Sequence, residues 1–325
     1  MGYDVIAVMG PTATGKSALA VDLARKLNGE VVSADSMQVY RGMDIGTAKA
    51  TAAERGGVPH HMLDVVNPAQ PYSVAQYVAE ASDCCEALLR EGKIPILAGG
   101  TGLYLDSLLE GRTFEPESPD RISLRKTLEQ EYSDQGGPAM LARLRTVDPL
   151  RAERLSPQDR KRILRAMEYY RLTGETLTEH DRRTRAQPPR YAALRVVLDY
   201  ENRETLNQRI DERVEEMIQN GLFEEVQRLL QSGLSPECTA MQAIGYKEAA
   251  LGLQGRIPLS EAVQLIQLRS RQYGKRQRTW FRHERDALRI FWKDRPAIPQ
   301  AAEAVAQAYR AGKLPEEDRD RELYL

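Results

Sequence analysis

Eight consecutive residues, Gly10, Pro11, Thr12, Ala13, Thr14, Gly15, Lys16 and Ser17, have the spacing GxxxxGK[ST] of a phosphate-binding loop. Glycines at its ends let the backbone turn so that successive N–H groups point inward at phosphate oxygens. The helix that follows adds the positive end of its dipole. Lys16 brings a full charge, and Ser17 brings a hydroxyl suited to Mg2+. At ordinary glycine usage the pattern arises by chance in about one chain of this length in a hundred, so its setting matters as much as the match. Val5 to Met9 is a short apolar run ahead of the loop. Ser17 to Leu27 follows it with Leu19, Ala20, Leu23, Ala24 and Leu27 at helical spacing. Strand, loop and helix therefore come in the required order. The ligand they imply is a diphosphate or triphosphate, and the reaction is left open.

A kinase or ATPase usually adds a second strand that ends in an Asp near Mg2+. Here the run Ile94 to Ala98 ends instead in Gly99-Gly100-Thr101-Gly102. The strand that does end in Asp is Glu30 to Ala34, followed by Asp35 within Ala-Asp-Ser-Met-Gln-Val-Tyr. A carboxylate at the carboxyl end of a strand beside a phosphate loop faces the ligand crevice. The bland alternative is a cap or turn residue.

Two basic segments suggest a nucleic-acid partner. In Asp159 to Arg171, Ile163, Leu164 and Met167 form a buried stripe that leaves Arg160, Lys161 and Arg165 to a partner. Leu268 to Arg285 carries seven arginines and lysines against Glu284 alone, with Tyr273, Trp280 and Phe281 interleaved. Cations with aromatics suit a single-stranded or looped nucleic acid, which needs phosphate contacts and stacking. A solvated helix face with aromatics in the core is the alternative. The chain has 46 Lys and Arg against 47 Asp and Glu, for a net charge of −1. Two clusters in so neutral a protein favour RNA.

The elements around these residues follow one rhythm. Strand, helix, strand over the first hundred residues, with a helix at Val74 to Leu89, reads as a P-loop NTPase-like α/β fold, a parallel sheet flanked by helices. The rhythm breaks near Gly111. From Thr113 to Pro189 there is helical periodicity without a strand, punctuated at Pro116, Pro119, Gly136-Gly137-Pro138, Pro149 and Pro157. An α/β core of 1–112 plus 190–325 with an all-helical insertion at 113–189 is the expected organisation. Beyond the insertion come a strand at Leu194 to Asp199, helical patterns near 202–231 and 260–285, and a last strand at Leu288 to Trp292. A charged tail follows, its acidic stretch at 316–322 frayed. Three cysteines, two of them adjacent, make no disulfide framework and fit a reducing compartment. There is no signal-like start and no apolar run of ~18 residues that could span a membrane. These features suggest a cytoplasmic protein.

Taken in order, several strings resemble one family. They are the loop at 10–17, Asp-Ser-Met-Gln-Val-Tyr at 35–40, Met-Asp-Ile-Gly-Thr-Ala-Lys at 43–49, Pro-His-His-Met-Leu-Asp at 59–64 and Gly-Gly-Thr-Gly-Leu-Tyr at 99–104. Arg160 to Gly174, Gln242 to Glu248 and Arg271 to Arg282 follow. The family is the bacterial tRNA dimethylallyltransferases, or tRNA isopentenyltransferases. The resemblance implies transfer of a dimethylallyl group from its diphosphate to N6 of the adenosine beside the anticodon. It also implies that residues 10–17 hold the diphosphate with Mg2+ on Ser17, and that Asp35 takes up the proton of a poorly nucleophilic amine. Thr101 would touch the target nucleotide. Asp35, Ser36, Met37 and Gln38 would meet the tRNA, and Gln158, Asp159, Arg160, Lys161 and Arg162 would grip its anticodon stem-loop. Arg209 is a candidate anion contact, and a monomer is expected. A small-molecule adenylate prenyltransferase, a P-loop kinase and an RNA-binding nucleotide switch remain as alternatives.

Overall fold

A computed structural model describes residues 2–114, 118–284, 286–314 and 321–325. Pro116, Arg285 and the acidic stretch 316–320 lie outside the described residues. The first elements are β1 (Val5–Met9), α1 (Lys16–Leu27), β2 (Gly29–Ser33), α2 (Ala52–Arg55), β3 (His60–His61), α3 (Val74–Arg90), β4 (Ile94–Gly99) and α4 (Gly102–Leu109). Four helices follow: α5 (Pro119–Val147), α6 (Pro149–Ala152), α7 (Arg160–Thr173) and α8 (Leu177–Arg185). The chain then runs through β5 (Ala193–Tyr200), α9 (Arg203–Gln219), α10 (Leu222–Gln231), α11 (Tyr246–Leu253) and α12 (Leu259–Phe281). It ends with β6 (Ala287–Trp292), α13 (Ile298–Ala311) and β7 (Glu322–Tyr324).

The seven strands form one parallel sheet in the order β3-β2-β4-β1-β5-β6-β7. Every residue of β1 is buried, as a central strand covered on both faces must be. From β1 the chain goes first to one side of the sheet, through β2 to β4, and later to the other side, through β5 to β7. The sheet therefore has its switch point beside β1, where the carboxyl ends of the strands open a ligand crevice. Leu19 and Leu23 of α1 and Ala301 and Val305 of α13 pack with Ile6, Val8 and Val196 in one core. Val39, Tyr40 and Met43 pack with Val214, Leu222, Met241 and Tyr246 in another.

The chain divides into two compact units, Met1–Gly111 with Arg190–Leu325, and Arg112–Pro189. Among its described residues, the regular elements of the second unit are all helices. It has its own core of Leu128, Met140, Leu144, Ile163 and Met167. Glu168 is buried in it and accepts from Arg121 at 2.6 Å and Arg125 at 3.0 Å. Gly136, at φ 80°, kinks α5.

Three sequence expectations need correction. The pattern near 202–231 is two helices, because Gly221 takes a left-handed φ of 96° between them. The charged tail after Trp292 includes α13, whose buried stripe is Ala301, Ala302, Val305 and Ala306. Alanines carry little hydrophobic signal, which hides the stripe. Glu322 is not frayed. It begins β7, which pairs with β6, and Tyr324 stacks on Phe291 with ring centroids 5.1 Å apart.

Candidate active site

Strand register brings the candidate residues together. Met9 lies opposite both Gly99 and Val197, and Ser33 lies opposite Ala98. The next residues of β1, β2 and β4 therefore meet at one edge: Gly10, Ala34-Asp35 and Gly100-Thr101. Two bonds lace the turns, from Ala34 N to Ala98 O at 2.9 Å and from Thr101 N to Ala34 O at 3.2 Å. A Cβ on Gly99 would lie 2.1 Å from the Ala34 oxygen, so only glycine permits this approach.

The phosphate loop is held through its carbonyls. Pro11 O accepts from Lys16 Nζ at 2.6 Å and Thr14 Oγ1 at 2.8 Å. Ala13 O accepts from the Tyr200 hydroxyl at 3.2 Å, and Thr14 O from Trp292 Nε1 at 3.0 Å. With these oxygens tied on the protein side, the loop's N–H groups are left for an anion. Thr12 N is the exception, since it donates to Gln277 Oε1 at 2.9 Å. Ser17 is exposed at the first turn of α1.

Asp35 is half-buried and serves as a turn residue, with one carboxylate oxygen left over. Its Oδ1 accepts from Met37 N at 2.8 Å and Gln38 N at 3.3 Å, which shapes the turn. Its Oδ2 has no hydrogen-bond partner among the described residues, which leaves its lone pairs open. Thr101 Oγ1 accepts from Ser36 N at 3.0 Å. Burial, followed by the charge of Asp35, pushes the Tyr273 hydroxyl up to about 12.

Two cations face this carboxylate. Burial, and then repulsion from Arg213, lower Lys16 to about 7, against a smaller opposing pull from Asp35. Arg213 is also lowered, by burial, with Asp35 the largest opposing charge. Its Nε is buried without a hydrogen-bond partner. Two partly desolvated cations beside one carboxylate leave an excess of positive charge, an arrangement suited to an anion. Sequence reading points to Arg209 instead. That residue is paired with Glu212 at 2.8 Å and Asp294 at 2.7 Å. The two arginines are four apart on α9, along the stripe of Leu206, Ile210 and Val214, so spacing alone does not rank them.

Gln38 is engaged at both ends of its amide. It accepts from Ser33 Oγ at 3.1 Å and donates to Thr47 O at 3.2 Å. Loop 44–46 is in turn held by Glu225 of α10, buried, which accepts from Asp44 N at 2.9 Å, Ile45 N at 3.0 Å and Gly46 N at 3.2 Å. Glu225 and Gln277 are functional neighbours that sequence reading misses. Their signal is a polar residue on an otherwise apolar helix stripe.

In the second unit, Gln158, Arg160, Lys161 and Arg162 are exposed at the start of α7. Asp159 accepts from Ser156 N at 2.8 Å, and Arg160 lies over the Tyr132 ring. On α12, Arg271 and Arg278 are paired with Asp211 and Asp199, whereas Lys275, Arg276 and Arg282 are exposed. Lys275, Arg278, Arg282 and Arg203 line a cavity of about 190 Å³.

Among the described residues, no three His, Cys, Asp or Glu side chains cluster to hold a metal ion. A magnesium ion bound through one hydroxyl and substrate phosphates needs no such cluster, and the exposed Ser17 hydroxyl, with no hydrogen-bond partner among the described residues, fits that mode.

The sequence model of the IPP transferase family matches residues 38–284, and that of isopentenyl transferase matches residues 3–68. The tRNA dimethylallyltransferase of Heliobacterium modesticaldum is 45% identical over 285 residues, 88% of each chain. A tRNA isopentenylpyrophosphate transferase from Staphylococcus epidermidis, known by crystal structure, is 38% identical with a TM-score of 0.69, covering 94% of this chain and 98% of its own. A eukaryotic dimethylallyltransferase, solved acting on tRNA, superposes with a TM-score of 0.81 at 28% identity, over 98% of this chain and 81% of its own. Matched over most of its length by family model, relatives and solved structures, the chain belongs to the IPP transferase family, the family of the tRNA dimethylallyltransferases.

Proposed function

We propose that this protein transfers a dimethylallyl group from dimethylallyl diphosphate to N6 of the adenosine beside the anticodon of a tRNA, releasing diphosphate. The observation that carries this reading is the free Oδ2 of Asp35 beside two desolvated cations, Lys16 and Arg213. In the reaction the C–O bond of the donor breaks and an N6–C bond forms. The amine proton passes to Asp35, and the bond electrons leave with the diphosphate. Lys16, Arg213 and the loop N–H groups stabilise the charge that builds on the leaving group. Ser17 would hold Mg2+, which supplies further positive charge to the diphosphate when bound.

The acceptor base is stacked in an RNA loop and must swing out before Asp35 can reach it. Thr101 stands at the turn facing Ser36, in position to contact the incoming nucleotide. Residues 158–162 of the helical unit offer three exposed cations for the RNA backbone, which suits a grip on the anticodon stem-loop. No helix of the described residues is long and apolar enough to cross a membrane. We further propose that the protein acts on tRNA in the cytoplasm and as a monomer.

The test is a labelled dimethylallyl diphosphate assay with tRNA, AMP or ATP as acceptor, run on the wild type and on Asp35→Ala. Prenylated tRNA that disappears on substitution is expected. Prenylated AMP without a tRNA product would establish the small-molecule enzyme instead, and phosphate transfer from ATP would establish a kinase.

A further inference from the structure

Gln277 lies in the most basic segment of the chain, yet its side chain is turned inward and only 5% exposed. Its carboxamide spans two loops. Oε1 accepts from Thr12 N in the phosphate loop at 2.9 Å, and Nε2 donates to Gly100 O in the Gly-Gly-Thr-Gly turn at 2.9 Å. A planar carboxamide can accept at its oxygen and donate at its nitrogen in this way without carrying a charge. The fit is close, since a Cβ on Gly100 would lie 2.1 Å from Nε2.

The bridge joins two halves of a reaction. On one side is the loop that grips the donor's diphosphate, and on the other is the turn that presents Thr101 to the acceptor nucleotide. Thr12 N is also the loop amide that is already occupied. Its bond to Gln277 fixes the loop to α12 without consuming the remaining donors. The two bonds tie Thr12 to Gly100 through one amide, and Thr101 is the next residue along the chain.

We propose that Gln277 is a positioning residue that couples donor binding to acceptor binding: the carboxamide bridge from Thr12 to Gly100 makes the diphosphate and the tRNA change each other's affinity. The coupling is reciprocal. If tRNA changes the diphosphate affinity by a given factor, diphosphate changes the tRNA affinity by the same factor. The inference rests on the proposed function, in which residues 10–17 hold a diphosphate and Thr101 meets the tRNA.

The test measures dissociation constants for inorganic diphosphate with and without tRNA, and for tRNA with and without inorganic diphosphate. It is applied to wild type, Gln277→Met and Gln277→Glu, together with kcat, KM and thermal midpoint. Met keeps the volume and removes both bonds. Glu keeps the acceptor for Thr12 but sets a carboxylate against the Gly100 carbonyl. The wild type is expected to show a coupling factor of about 5 or more. In Gln277→Met that factor falls to about 1, with kcat reduced on the order of 100-fold, as for a misplaced reacting pair. Each ligand measured alone changes by no more than roughly threefold, since the bridge touches neither directly. Gln277→Glu, with the Gly100 arm broken, also loses the coupling. A merely structural role would instead lower the thermal midpoint and leave the coupling factor intact in the folded fraction. A wild type that prenylates tRNA but shows no coupling, or variants that keep it, would overturn the inference and leave the functional reading standing. A wild type that binds inorganic diphosphate but makes no prenylated tRNA would overturn both.

Discussion

Lys16 donates its ammonium group to the carbonyl oxygen of Pro11 at 2.6 Å, closing the phosphate loop on its own backbone. A diphosphate must draw the lysine away from that carbonyl, and the free site makes this a proton-linked event. Burial and the Arg213 charge lower Lys16 from its ordinary 10.5 to about 7. Bound diphosphate favours the charged form and raises the value again. At pH 8.5 most free Lys16 is neutral, so binding should take up close to one proton at this residue. At pH 6 the uptake should vanish. Calorimetric titration of inorganic diphosphate in buffers of different ionisation enthalpy reads the uptake directly, and Lys16→Met should remove it. The stability sign follows from the same shift. Between pH 7 and 10.5 Lys16 holds more protons in the unfolded chain than in the folded one, so the contribution of this residue to stability should rise with pH across that window.

Asp35 divides its work between its two oxygens. Oδ1 holds the turn through Met37 N and Gln38 N, and an amide oxygen can accept those bonds as well. Asp35→Asn should therefore keep the fold and the tRNA affinity while prenyl transfer falls by about 10²–10⁴, the usual contribution of a positioned base. Asp35→Ala also loses the turn, and should weaken tRNA binding in addition. Single-turnover rates with saturating tRNA separate the two effects. Equal turnover in Asp35→Asn would remove the assigned base.

The loop's shape depends on two aromatic donors from outside it. Trp292, fully buried on β6, donates to Thr14 O, and Tyr200 donates to Ala13 O. Trp292→Phe leaves a buried carbonyl unpaired and should destabilise the protein by about 1–3 kcal/mol. Diphosphate affinity should fall with it, because the loop is then free to turn its carbonyls inward. Denaturant unfolding and diphosphate titration check the two consequences separately.

The phosphate loop and Asp35 are readable from sequence because each is a local pattern, a glycine spacing and a strand that ends in a carboxylate. The residues that complete the site are not. Arg213, Gln277 and Trp292 reach it from α9, α12 and β6, far along the chain, and only strand order brings them to the loop. The same limit hides α13, whose stripe is mostly alanine, and β7, whose three residues have meaning only beside β6. Arg209 and Arg213 look alike in the sequence because helix phase is fixed by packing on Ile210 and Val214, and the sequence does not show what lies opposite. The helical character of 113–189 is legible because its apolar spacing is local to each helix.

Glu225 makes one such long-range link. It is 3% exposed, and its carboxylate accepts from three successive backbone N–H groups, at Asp44, Ile45 and Gly46, and from the Tyr246 hydroxyl. Glu225→Ala strands these donors in the interior and should destabilise the protein, at about 1–3 kcal/mol for each buried donor left unpaired. Because Gln38 donates to Thr47 O in the next stretch of that loop, the amides of residues 37–48 should lose hydrogen-exchange protection in the variant while those of β1 and β4 keep theirs. Uniform loss across the sheet would show that Glu225 supports the whole fold and not this loop.

The three cations at the start of α7 carry charge that the packing of the helix does not use. Arg160, Lys161 and Arg162 are exposed. The stripe of Ile163, Leu164 and Met167 carries the packing of the helix, so replacing all three cations with Ala should leave the helical unit folded. Every RNA phosphate that is no longer neutralised should reduce the slope of log affinity against log salt by about 0.7–0.9. The triple variant should therefore bind tRNA more weakly, with a slope shallower by roughly 2–3 if all three meet phosphate. The KM for dimethylallyl diphosphate should stay as in the wild type, because that ligand is held by residues 10–17. An unchanged slope would show that the RNA is gripped elsewhere, with the exposed Lys275, Arg276 and Arg282 of the α12 segment the first residues to test in their place.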